Sequence, residues 1–92
     1  GYQVTREFPL PSGGYIDLVV RQNDRTIAIE IETGKSDVVR NAQKALDADF
    51  RHIRMVGTDT GVVQELKTKL ADILSTHPHR IQIALCADEA AD

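Results

Sequence analysis

Three acids are spaced so that their carboxylates can meet: Asp17, Glu30 and, two positions on, Glu32. Asp17 lies in the run Tyr15-Ile16-Asp17-Leu18-Val19-Val20, and the other two close the run Thr26-Ile27-Ala28-Ile29-Glu30-Ile31-Glu32. Both runs alternate with period 2, the repeat of a strand. The polar cluster Gln22-Asn23-Asp24-Arg25 between them is a turn by composition. Centred between Asn23 and Asp24, it sets Val20 opposite Ile27, Leu18 opposite Ile29 and Ile16 opposite Ile31, a wholly aliphatic face. On the other face Asp17 stands directly across from Glu30, with Glu32 further along its strand and Tyr15 beside it. Like charges so placed destabilise a strand pair. A positive guest resolves the conflict, and a hard divalent cation held by oxygen ligands is the simplest one. The plainer reading is a solvated outer face, where acids are ordinary.

The elements that must hold these residues follow from the rest of the pattern. Tyr2 to Phe8 alternates and is rich in strand formers, and Pro9 to Gly14 then supplies a breaker. Beyond Glu32, Thr33-Gly34-Lys35-Ser36 is a loop, and Ser36 or Asp37 caps a helix running to about Asp49. Its buried stripe is Val38, Ala42, Ala45, Leu46 and Asp49, with Asn41 and Lys44 on one flank and Gln43 on the other. His52 to Gly57 reads as a strand, Thr58 to Thr60 as the cap of a second helix through about Leu74, and Arg80 to Cys86 as a last strand. A hairpin followed by two helical crossovers predicts an α/β fold: a mixed central sheet with an N-terminal antiparallel hairpin and flanking helices.

The 92 residues suit one domain with a modest core, expected over residues 1–87 and followed by an acidic tail at 88–92. Hydrophobic content of 41% against 27% charged places the chain among globular proteins. A net charge of -3 argues against a strongly basic nucleic-acid-binding surface without excluding a nucleic-acid partner. The single cysteine, Cys86, cannot form an internal disulfide, which points to a reducing, cytoplasmic setting. No apolar run approaches the roughly 20 residues that span a bilayer, and no leader pattern is present, so no membrane association is expected. The chain begins at Gly1 and enters an extended segment at once, as expected of part of a longer polypeptide.

The spacing of Asp17, Glu30 and Glu32, followed by a helix, resembles that of the PD-(D/E)XK nuclease superfamily, which includes restriction endonucleases and archaeal Holliday-junction resolvases. The resemblance runs from Phe8 to about Val56 and includes the order of elements. It implies a restriction-endonuclease-like fold, DNA as partner, Mg²⁺ or Mn²⁺ as cofactor, and hydrolysis of phosphodiester bonds. Asp17 and Glu30 fall on the family's metal-binding acids, with the carbonyl of Ile31 as a further ligand. The third triplet position, usually Lys, is Glu32, which the resemblance leaves as third ligand or general base. The missing cation is then expected from Lys35 in the loop or Lys44 on the helix flank, either of which could stabilise charge on a pentavalent phosphate. A helix bearing another acid often precedes the family's first strand. A second copy of the chain is a further expected partner, where both strands of a duplex are cut.

Glu32 in place of lysine also supports an alternative, a catalytically inactive nucleic-acid-binding or assembly module of the same fold within a larger DNA-processing protein. A third reading is an interaction domain whose acidic face binds a basic partner. The remaining motifs carry less. Gly34-Lys35-Ser36 lacks the earlier glycine of a P-loop, and His77 and His79 lack a third ligand. Arg51, His52 and Arg54 could track a phosphate backbone or simply form the polar side of a strand. Asn41 and Gln43 are helix amides, which usually contact neither phosphate nor base. Cys86 is expected to be inert packing.

Overall fold

The computed structural model describes residues 2–86, so the acidic tail lies outside the described residues. Five strands form one sheet in the order β1 (Gln3–Pro9), β2 (Tyr15–Gln22), β3 (Arg25–Glu32), β4 (His52–Gly57) and β5 (Ile81–Leu85). The first three are antiparallel, and β3, β4 and β5 are parallel. The crossovers are α1 (Val38–Asp47), then α2 (Thr60–Lys69) with α3 (Ala71–Thr76). The expected mixed sheet with an N-terminal hairpin and flanking helices is therefore present.

Local chemistry sets the element ends. Asp37 caps α1 by accepting the Arg40 N–H at 3.2 Å, and Asp59 caps α2 by accepting that of Val62 at 2.9 Å. The β2–β3 turn is the two residues Asn23 and Asp24, with Asn23 at φ 56, a conformation asparagine tolerates. Gln22 pairs with Arg25, Val20 with Ile27 and Leu18 with Ile29, the register expected from the turn centre. Gly57 lets α2 approach the sheet: a Cβ there would stand 2.9 Å from Val63 Cγ2 and 3.0 Å from its backbone nitrogen.

Both crossovers step to the next strand in one direction, so their right-handed sense puts the helices on one face of the sheet. The core lies there. Ile16, Val19, Ala28, Ile53, Met55 and Ile81 from the sheet meet Val38, Ala42, Ala45 and Leu46 of α1, and Val62 and Leu66 of α2. The aliphatic side of the hairpin does not join this cluster, with one exception. Leu18, Val20, Ile27, Ile29 and Ile31 lie outside it, whereas Ile16 is fully buried inside it. Ile16 and Val19 share the core at an odd spacing, so the alternation slips once between them, where Asp17 sits.

Three further expectations are corrected. Asp49 does not belong to the buried stripe of α1, which ends at Asp47; Asp49 is exposed, at φ 65. The second helix is not continuous to Leu74 but breaks at Leu70, whose φ of -96 and ψ of 9 close α2 and open α3. The break leaves Leu70 fully buried and brings Ile73 and Leu74 against the core. Cys86 is exposed beyond the end of β5 and packs no core. Among the described residues no helix is long and apolar enough to cross a membrane.

Candidate active site

The regular pairing of β2 with β3 runs from Gln22–Arg25 up to Leu18–Ile29. At the next position the acids replace the backbone ladder. The Asp17 N–H donates to Glu30 Oε1 at 3.0 Å, and the Ile31 N–H donates to Asp17 Oδ2 at 2.8 Å. On the other side of β2, pairing with β1 passes from Arg6–Leu18 to Phe8–Ile16 and skips Glu7, which holds φ 51. Asp17 thus lies where the sheet is opened along both of its edges. It lines a cleft of about 780 Å³ with Arg6, Glu7, Leu18 and Ile31.

Glu30 and Glu32 are 2% and 0% exposed, so a solvated outer face is not their setting. They point to the helix side, and α1 supplies their partners. Lys44 Nζ lies 3.5 Å from Glu30 Oε2 and 5.8 Å over the ring centre of Tyr15. Asn41 Nδ2 donates to both oxygens of Glu32, each at 3.1 Å. Burial pushes the Glu30 carboxyl from its ordinary 4.5 up to about 7. The Asp17 N–H and Lys44 oppose the rise, while the charges of Asp17 and Glu32 add to it. Burial raises Glu32 as well, against the hydrogen bonds from Asn41 and Ser36. The balance is decided by desolvation: three carboxylates share this region with one nearby ammonium.

The two candidate lysines separate. Lys44 is carried to Glu30 by α1, its stem passing 3.9 Å from where a Cβ on Gly14 would be. Gly14 has φ 75 and Gly13 φ 99, conformations that suit glycine in the β1–β2 turn. Lys35 is exposed in a loop tied by its own hydroxyls. There Thr33 N–H donates to Ser36 Oγ at 2.9 Å and Lys35 N–H donates to Thr33 Oγ1 at 3.2 Å. The loop is an ordered lead into the Asp37 cap, and it leaves the Lys35 side chain away from the acids' hydrogen bonds.

Among the described residues no three His, Cys, Asp or Glu side chains are placed as a preformed metal cage. The set expected here is different: two carboxylates and the Ile31 carbonyl, with water or phosphate oxygens to complete it. That suits Mg²⁺, which commonly binds through one or two carboxylates and the substrate's own phosphates. The residues fit such an ion by donor chemistry and by the uncompensated charge around Glu30.

Several supporting residues carried no local signal. Asn41 is nine positions from Glu32, and only the packing of α1 on β3 joins them. Arg80 donates to the carbonyls of Phe50 and Leu46, tying the end of α1 to the start of β5. Gln43 bonds Asp47 on the helix surface, and His52, His79 and Arg54 line a small cleft at the far end of the sheet. No family model, no curated protein and no solved structure matches the chain.

Proposed function

We propose that this domain is a metal-dependent nuclease that hydrolyses DNA phosphodiester bonds with Mg²⁺ or Mn²⁺, on a restriction-endonuclease-like sheet. The observation that supports it most is the carboxylate pair at the opened end of the hairpin, Asp17 half-buried and Glu30 buried, with a lysine 3.5 Å from Glu30. In this reading Asp17, Glu30 and the Ile31 carbonyl hold the ion. The bound ion would polarise the phosphate and acidify a water. Lys44 offers a cation to the charge that builds on the phosphate oxygens as water attacks phosphorus and the bridging P–O bond breaks. Asn41 and Ser36 orient Glu32, which takes the proton of the attacking water or adds an oxygen to the ion.

The inactive nucleic-acid-binding or assembly module is the second reading. It is favoured by Glu32 itself, whose two oxygens are both engaged by Asn41 where the family carries a lysine. Calorimetric titration with Mn²⁺, paired with single-turnover assays on duplex, flap and four-way-junction DNA, separates the two. Metal binding lost in Asp17→Asn, together with metal-dependent cleavage, supports the nuclease. Absence of cleavage of every DNA, with the longer polypeptide also tested, rejects it.

A further inference from the structure

The cleft between the β1–β2 turn and α1 is lined by hydrogen-bond donors. It encloses about 480 Å³ among Ser12, Gly14, Tyr15, Arg40, Asn41 and Lys44, and among the described residues no carboxylate lines it. Two of these side chains also touch the buried acids: Lys44 stands 3.5 Å from Glu30, and Asn41 donates to Glu32. Ser12, Tyr15 and Arg40 are exposed and make no such contact. Asp37 accepts the Arg40 backbone N–H, while the Arg40 guanidinium forms no ion pair among the described residues. Arg40 and Lys44 stand four residues apart on α1 and line the same cleft. Like charges at that helical spacing destabilise each other, and an anion between them removes the conflict.

The turn side of the cleft is bare backbone at Gly13 and Gly14, which lets a ligand approach the chain closely. A guanidinium presents a fork of N–H groups that matches phosphate oxygens, and a serine hydroxyl and an ammonium add donors to the same anion. Tyr15 indicates which kind of phosphate. Lys44 lies over its ring, 5.8 Å from the centre, yet the residue remains 48% exposed at the edge of the cleft. An aromatic beside cationic groups is a platform on which a base stacks, and a free phosphate has no use for it. We propose that this cleft is a phosphate subsite for a nucleic-acid strand, in which Arg40 binds a phosphodiester next to the scissile one and Tyr15 stacks on a neighbouring base. The inference deepens the nuclease reading and rests on its nucleic-acid partner, not on its metal chemistry.

The probe is a fluorescent single-stranded DNA of about 12 nucleotides, bound without divalent ions and followed by anisotropy over a series of salt concentrations. Arg40→Gln, at an exposed position, is expected to weaken binding about tenfold. It should also make the dependence of log Kd on log salt shallower by about 0.7, the share of one phosphate contact on a single strand. Tyr15→Leu should weaken the DNA about fivefold or more and leave binding of inorganic phosphate unchanged. In ¹⁵N spectra a thymidine dinucleotide is expected to shift the amides of Ser12, Gly13 and Gly14, and its uncharged methylphosphonate counterpart is not. Wild-type affinity and salt slope in Arg40→Gln, or shifts that spare the turn, would overturn the proposal. Inorganic phosphate displacing the DNA at equal concentration would do so too, assigning the cleft to a free anion. Single-turnover cleavage with Mg²⁺ at saturating DNA separates the two readings, and Arg40→Gln is expected to cut there at the wild-type rate. A wild type that binds DNA through Arg40 and never cuts rejects the nuclease reading alone. Cleavage with DNA affinity indifferent to Arg40 rejects this subsite alone.

Discussion

Replacing Glu30 by Gln is expected to stabilise the domain above pH 7 and to change it little near pH 5. The carboxyl titrates at 4.5 ordinarily and at about 7 in the folded chain. Between those values the folded state holds a proton that the unfolded chain has released, so stability falls as pH rises through the window. Below it both states are protonated and the penalty is absent; above it the penalty is complete. At about 1.4 kcal/mol per pKa unit, the full penalty is roughly 3 kcal/mol. The Lys44 contact and the Asp17 N–H already act within the raised value, so they are not counted again. A glutamine at this site can still accept the Asp17 N–H through its amide oxygen, and it gives up only the attraction to a partly solvated ammonium. The expected net gain at pH 8 is therefore about 2 kcal/mol, on the order of 10 °C in Tm for a domain of this size. Urea unfolding of both proteins at pH 5, 6, 7 and 8, at one ionic strength and without divalent ions, measures it. Titrating groups away from this site cancel in the difference between the two proteins. A variant destabilised equally at pH 5 and pH 8, or a difference that shrinks as pH rises, would refute the reasoning.

Asp17→Asn is expected to reduce the rise in Tm on adding millimolar Mn²⁺, since ion binding to the folded state is what raises it; an equal rise in both proteins places the ion elsewhere. Lys44→Met should abolish single-turnover cleavage while metal affinity is kept or raised, and Lys35→Met should cleave like the wild type. Asn41→Ala leaves a buried carboxylate without its amide donor and is expected to cost about 2 kcal/mol in urea unfolding. Gly57→Ala forces a methyl against Val63 Cγ2 and its backbone nitrogen, with an expected loss of about 1 to 3 kcal/mol in the same assay.

The hairpin register was legible because a two-residue turn and strict alternation leave one pairing, and Leu18–Ile29 and Val20–Ile27 follow from it. Alternation separates two faces without saying which one the helices take. That is decided by the handedness of the crossovers, which buries Glu30 and Glu32 and leaves Ile29 outside the core. A buried acid and a surface acid look alike in a sequence. The flank of α1 that carries Asn41 and Lys44 was readable from the helical repeat, but its aim at Glu32 and Glu30 depends on tertiary packing. The break at Leu70 falls within an unbroken apolar pattern that holds neither Gly nor Pro. Glu7 at φ 51 is likewise silent, because glutamate carries no preference for that conformation.

The two backbone N–H groups that end on carboxylates give the hairpin a property ordinary ladders lack. A carbonyl acceptor keeps its strength across pH, whereas a carboxylate weakens as an acceptor when it gains a proton or shares its charge with a cation. The amide of Asp17 is therefore a latch whose hold follows the ionisation of the Glu30 carboxyl it touches. Hydrogen exchange at this position should quicken relative to Val19 and Ala28 as Glu30 is neutralised, so strand fraying at this end keeps a running record of the charge state beneath it.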